Sequence, residues 1–259
     1  MIILQLELKQ WWKPTVVWAL VLATFLVMVV AMYPMMEEQM AGIIQMIQGL
    51  GVFTKALKLD DLMIDRLIGF YSMEMENILG ISGAVFAGYV GGRILAKEEL
   101  FKSSEFLLSH PIKRSDVYLQ KLLTVLGLVV LFNAIIAVIT WFAIAWTNQS
   151  VPVEDFVRMH LVMIGVHLLI ACLSFALSVF FANQSLAISL TSVFILYILN
   201  ILINIDSRLD IVRWVTPFQF AYASDVLNKG IDFTLVLMNA AWIIIFAVIG
   251  LRYYCKKDL

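Results

Sequence analysis

"LLTVLGLVVLFNAIIAVITWFAIAW" (122–146) carries no charged residue across 25 positions. As a helix it rises about 38 Å, more than the roughly 30 Å of a bilayer's hydrocarbon core. In water such a run would have no solvated face, so it reads as a transmembrane helix. The rest of the chain repeats the pattern. "TVVWALVLATFLVMVVAMY" (15–33), "SLAISLTSVFILYILNILINI" (185–205) and "FTLVLMNAAWIIIFAVIGL" (233–251) are uncharged, and "LVMIGVHLLIACLSFALSVFFA" (161–182) holds a single histidine. "ILGISGAVFAGYVGG" (78–92) is shorter, but its polar approach from Glu76 suits a spanning helix. Composition agrees: 62% hydrophobic and 14% charged residues, with a mean hydropathy of +0.93, leave too little polar surface for a soluble domain. The fold expected is all-α, a polytopic integral membrane protein. Its six spans lie near 15–33, 77–96, 118–146, 157–182, 185–205 and 232–252, within one domain over 1–259.

Basic residues set the expected orientation. With the N-terminus inside, eleven of the eighteen Lys and Arg fall in inner segments, six of them between spans two and three. The positive-inside rule then places both termini in the cytoplasm. The first span is too long for a signal peptide, and "MYPMME" lacks a small-residue cleavage site. Cys172 lies inside a span and Cys255 in the tail, so they are not expected to pair.

Leu4, Leu8, Trp11 and Trp12 share one side of an N-terminal helix, with Glu7, Lys9 and Gln10 elsewhere on the wheel. This predicts an interfacial amphipathic helix that bends at Pro14 into span one. The outer segment 34–77 holds seven of the thirteen methionines. Met36, Met40, Ile43, Ile44, Ile47 and Leu50 predict a helix across the outer mouth. Its readings are packing on the span ends, adaptable contact with apolar cargo, or a soft-metal surface. Span two carries two series of small residues, Gly80, Ala84, Gly88, Gly92 and Gly83, Ala87, Gly91, which mark close helix packing. "IVRWV" and "FQFAYASDVL" predict short helices on either side of Thr216-Pro217.

The polar interruption is "EELFKSSEFLLSHPIKRSD" (98–116). Leu100, Phe101, Leu107 and Leu108 fall on one arc of a helix, opposite Glu98, Lys102, Glu105 and Ser109. The helix expected over 98–110 is too short to span and ends at His110, which precedes Pro111. Ser115 is the expected cap of the next helix, with Asp116 in its first turn. Phe106, an aromatic on the charged side, points to a protein partner.

The chain has no G-x-x-x-x-G-K-[ST], no H-E-x-x-H and no G-x-S-x-G, so no catalytic centre and no metal site is expected in it. The pair Glu98-Glu99 resembles that of CAAX-type intramembrane proteases, but the arginine due four positions on is Ser103. His167, Asn133, Asn200 and Asn239 are intramembrane polar residues: interhelical hydrogen bonds first, cargo contacts second. No span carries the acid-and-histidine chain of a proton-driven pump.

"ILAKEELFKSSEFLLSHPIKRSDVYLQKLL" (94–123) resembles the cytoplasmic loop of ABC-2-type permeases, a resemblance carried by Glu99, Glu105, Leu107, Leu108, Ser109, Pro111, Ile112, Arg114 and Lys121. The chain departs from that pattern at Ser103, for the usual glycine, and at Lys113, for the usual Ser or Thr. "WVTPFQF" (214–220) is similar to the family's Pro-Phe motif, and "RYYCKKDL" (252–259) to its basic tail. The resemblance implies a multi-pass subunit in a bacterial plasma membrane, working as two permeases with two cytoplasmic ABC ATPase subunits that hold the ATP and Mg. Cofactors bound by this chain, and nucleic-acid partners, are not expected; membrane lipids are. Coupling to the ATPase would fall on Glu98, Glu99, Phe101, Lys102, Glu105, Phe106, Leu108, Ser109, Pro111 and Arg114. Candidates for the cargo path are Asn133, His167, Asn200, Pro217 and Phe218. The expected activity is outward transport of amphipathic or hydrophobic cargo, peptides first, then drugs or lipids; the alternative is a membrane scaffold.

Overall fold

The computed structural model describes residues 2–39, 66–101, 112–147 and 149–257, with isolated positions between 42 and 54. Among the described residues the regular structure is entirely helical. The long helices are α1 (Ile2–Met36), α2 (Leu67–Ile94), α4 (Arg114–Trp146), α5 (Val153–Phe180), α6 (Ser185–Ile205) and α8 (Phe233–Lys256); two short ones are α3 (Lys97–Leu100) and α7 (Ala223–Lys229). Five of them, α1, α4, α5, α6 with the turn before it, and α8, are long and apolar enough to cross a membrane. α2 is not one of these five, although its 28 residues rise about 42 Å. Glycine, alanine and serine occupy many of the places that leucine and isoleucine hold in the others.

The N-terminal helix and the first apolar run form one helix of 35 residues, with Pro14 and Pro34 inside it. The helix does not end at Pro14, for a packing reason. The buried stripe Ile3, Glu7, Trp11, Thr15, Ala19, Leu22, Leu26, Val30 and Tyr33 runs straight past Pro14. The same face therefore meets its neighbours on both sides of the proline. Pro14 itself is exposed, so the carbonyl it leaves without an N–H partner is on the open side. Glu7 lies on the buried stripe, not on the polar side where the sequence pattern put it.

α5 is the hub and packs against α2, α4, α6 and α8, while α1 lies along α4. The small residues of α2 let two helices approach it. A Cβ at Gly91 would meet the Ala171 carbonyl oxygen at 2.5 Å and one at Gly83 the His167 ring at 2.3 Å, both on α5. Gly88 and Gly92 abut α6, where a Cβ would meet Val193 at 2.9 Å and Ser189 at 2.6 Å. Gly80 faces Met163 at ordinary contact distance, and Ala84 is fully buried. Close packing without a hydrophobic drive is what such faces provide in lipid.

Few residues of α6 and α8 are buried, and the exposed ones are largely apolar, including Phe194, Ile195, Ile198, Leu237 and Ile244. Such a surface needs hydrocarbon around it. The start of α1, the end of α2, the start of α4, the end of α5 and the end of α8 share one end of the bundle, and the opposite ends of these helices lie at the other. At that far end 3-10 turns at Ser207–Val212 and Pro217–Phe220 precede α7. They stand where short helices are expected around Thr216-Pro217. The methionine-rich helix expected near 36–50 lies largely outside the described residues. α4 starts two residues earlier than expected: Lys113, in extended conformation, is its N-cap in place of Ser115.

Candidate functional site

Three consecutive residues, Lys97, Glu98 and Glu99, leave the end of α2, and each is tied to a different part of the chain. Lys97 Nζ donates to Glu7 Oε2 at 2.6 Å and to Gln10 Oε1 at 2.7 Å, joining α3 to α1. Glu98 Oε1 accepts from Lys121 Nζ at 2.5 Å, joining α3 to α4. Glu99 takes two bonds from Lys257 Nζ, at 2.7 and 2.9 Å, joining α3 to the end of α8.

Lys121 is the centre of this knot and is fully buried. An ammonium has three protons and no acceptor. Here they go to Glu7 Oε1 at 2.8 Å, to Glu98, and to the carbonyl of Ile94 at 2.9 Å. Ile94 is the last residue of α2, so one lysine satisfies two carboxylates and a helix-end carbonyl. Lys257 repeats the device one helix away, donating to the Val179 carbonyl in the last turn of α5 at 2.9 Å. Arg114 Nη1 donates to the Lys257 carbonyl. Burial pushes the Glu98 carboxyl up from its ordinary range, with the Lys121 charge pulling the other way. Two acids and two bases close the inner knot with no net charge, which is the condition for holding them out of water.

The sequence-derived coupling residues divide at this point. Glu98, Glu99 and Arg114 are engaged within the chain. Phe101, at the end of α3, is 70% exposed, with the Arg93 guanidinium 6.0 Å from its ring centre. Lys102, Glu105, Phe106, Leu108, Ser109 and Pro111 lie outside the described residues. Glu7, Lys97 and Lys257 were not singled out in the sequence. For Glu7 a signal exists: it lies in the i, i+4 series Ile3, Glu7, Trp11, Thr15, Ala19, which continues into the span. The Glu99–Lys257 link is partly exposed, so its contribution is modest. Glu99→Gln and Lys257→Met are each expected to lower stability by about 1 kcal/mol. The double variant should lose little more than either alone in a double-mutant cycle on the detergent-purified protein.

The cargo-path candidates form two groups. Asn133 and His167 meet inside the α4–α5 contact, both fully buried. Asn133 Nδ2 donates to the Val129 carbonyl at 2.8 Å, which turns Oδ1 to His167 Nδ1 at 3.0 Å. The imidazole Nδ1–H is therefore the donor. A second polar tie, nearer the far end, runs from Tyr71 on α2 to Thr140 at 3.0 Å and His160 at 2.9 Å. These are bonds between helices, and neither Asn133 nor His167 faces open space. Asn200, Pro217 and Phe218 gather at the far end instead. Phe218 packs edge-on against Tyr197, and Asn200 lines a small cavity with Glu76, Tyr197 and Tyr222.

These features define a multi-pass helical membrane protein with a knot of charged groups at the end where α1 begins and α8 finishes. A family model described as ABC-2 family transporter protein matches residues 1–259, and the chain belongs to that family. No curated protein and no solved structure matches it. The family's members are membrane transport components that generally work with a cytoplasmic ATPase partner.

Proposed function

We propose that this chain is the permease subunit of an ATP-driven exporter that moves amphipathic or hydrophobic cargo outward. Two permeases assemble with two ATPase subunits, which hold the ATP and Mg. The chain sits in a bacterial plasma membrane with α2 as its sixth span. The end that carries both termini faces the cytoplasm, and the ATPase grips the segment from Phe101 to Pro111. Peptides are the first cargo to test, then drugs and lipids.

The supporting observation is the triple anchorage of Lys97, Glu98 and Glu99. A segment pushed from the cytosol transmits force only if its base cannot slide. Here the base is fastened to α1, to α4 and to the end of α8 before the segment begins. Lys121 and Lys257 also hold the last turns of α2 and α5, so movement of the segment engages the helices around the hub. ATP can shift such a permease between two states only where partner contacts differ between them.

The ATPase that co-purifies with the chain supplies the test, after reconstitution into vesicles. Phe101→Ala is expected to leave the basal rate of hydrolysis in place and to reduce its stimulation by cargo peptides about tenfold, as loss of a buried aromatic anchor does at an interface. If no ATPase co-purifies and no nucleotide is consumed, the chain is a scaffold. If drugs or lipids stimulate hydrolysis and peptides do not, the exporter reading holds and the cargo order reverses.

A further inference from the structure

Towards the far end of the bundle, α2, α5, α6 and the 217–222 turn surround a cavity of about 20 Å³. That is room for one water or one monatomic ion and for nothing larger. Its polar wall is built from residues distant in the chain: Glu76 and Asn77 on α2, Tyr197 and Asn200 on α6, and Tyr222 after the turn. Gly80 and Met163 line it as well.

What these residues offer is oxygen. Asn200 is 6% exposed, and its Oδ1 is buried with no hydrogen-bond partner among the described residues. An acceptor left in that condition is costly unless an occupant of the cavity reaches it. Asn77 commits its Nδ2 to the Met73 carbonyl at 2.9 Å, so its amide oxygen is what it has left to give. Glu76 Oε2 accepts from the Ala223 N–H at 2.8 Å, which holds the carboxylate between α2 and the start of α7. No basic side chain is among the described residues that line the cavity. An ionisable group at this depth, beside an orphaned amide oxygen, marks a functional position.

We infer that this cavity binds a single dehydrated sodium ion through Glu76, Asn77 and Asn200. A water molecule brings two protons to such a set of acceptors and no charge. A cation serves every oxygen around it and is drawn by the carboxylate. One carboxylate suits a single positive charge. Calcium takes roughly six to eight oxygens, and magnesium keeps several waters for which this cavity has no room. Among the described residues no three His, Cys, Asp or Glu side chains gather to hold a transition metal. Asn200 and Phe218, candidates for the cargo path, then line an ion site, and the ion fastens α6 and the 217–222 turn to α2. Its binding does not depend on the exporter reading.

The test uses the full chain in phosphatidylcholine nanodiscs, with radiolabelled sodium as the probe and choline chloride holding the ionic strength constant. Saturable binding of one sodium per chain is expected, with a rise of roughly 4 °C in melting temperature that choline does not produce. Asn200→Leu, which removes the orphaned oxygen, should weaken sodium at least about tenfold. Glu76→Gln keeps an acceptor for the Ala223 N–H and should abolish saturable binding. Gly80→Ala places a methyl group 3.9 Å from Met163, between two walls of the cavity. It alters no polar group, so it should lose sodium while melting in choline no lower than the wild type. That variant decides the matter if either of the others fails to fold. No saturable sodium binding would mean that water alone fits the cavity, and would overturn the site. So would binding that survives Asn200→Leu and Gly80→Ala, an equal shift with choline, or displacement of sodium by calcium at a lower concentration.

Discussion

Lys121→Met is expected to destabilise the protein by about 3–5 kcal/mol, the range seen when one partner is removed from a buried ion pair. Methionine fills nearly the same volume, so the loss is electrostatic. Glu7 and Glu98 remain near the membrane boundary with one cation, Lys97, between them, and the Ile94 carbonyl loses its donor. A fall of roughly 10 °C in apparent melting temperature, followed by tryptophan fluorescence in detergent, is the expected reading. Adding Glu7→Gln and Glu98→Gln to the methionine variant should recover part of that loss, because no carboxylate is then stranded. If the single and triple variants melt together at the wild-type temperature, the knot does not hold the bundle.

Gly91→Leu is the second large effect, and its origin is steric. Even an alanine Cβ there would lie 2.5 Å from the Ala171 carbonyl oxygen and 3.2 Å from the Phe175 nitrogen. Both are backbone atoms of α5, with no rotamer by which to move aside. Overpacking of this kind costs about 1–3 kcal/mol for small additions, and leucine must part α2 from the hub. Loss of monodisperse protein on size exclusion is expected, with Gly91→Ala intermediate. Gly127→Ala is the control: nothing lies within 4 Å of its Cβ, and alanine favours a helix by up to about 1 kcal/mol. Equal behaviour of Gly91→Leu and Gly127→Ala would refute the close α2–α5 approach.

The helices could be read from the residues alone because a bilayer asks one simple thing of a segment: enough consecutive apolar side chains to cross it. The run at 122–146 meets that requirement whatever its neighbours do. The two series of small residues on α2 stand out in the sequence in the same way, because only glycine and alanine admit another backbone so closely. The interruption at 98–116 was legible as polar, but Glu98 and Glu99 were not legible as anchors. That depends on which lysine reaches which carboxylate across separations such as Glu7 to Lys121 and Glu99 to Lys257. No local periodicity records those pairings. Pro14 teaches the same lesson in reverse: local chemistry disfavours helix there, and one helix with a single buried stripe continues past it. Composition and hydropathy act within one segment, so a single chain is enough to read them. Ion pairs and close backbone contacts between distant residues exist only once the helices are packed.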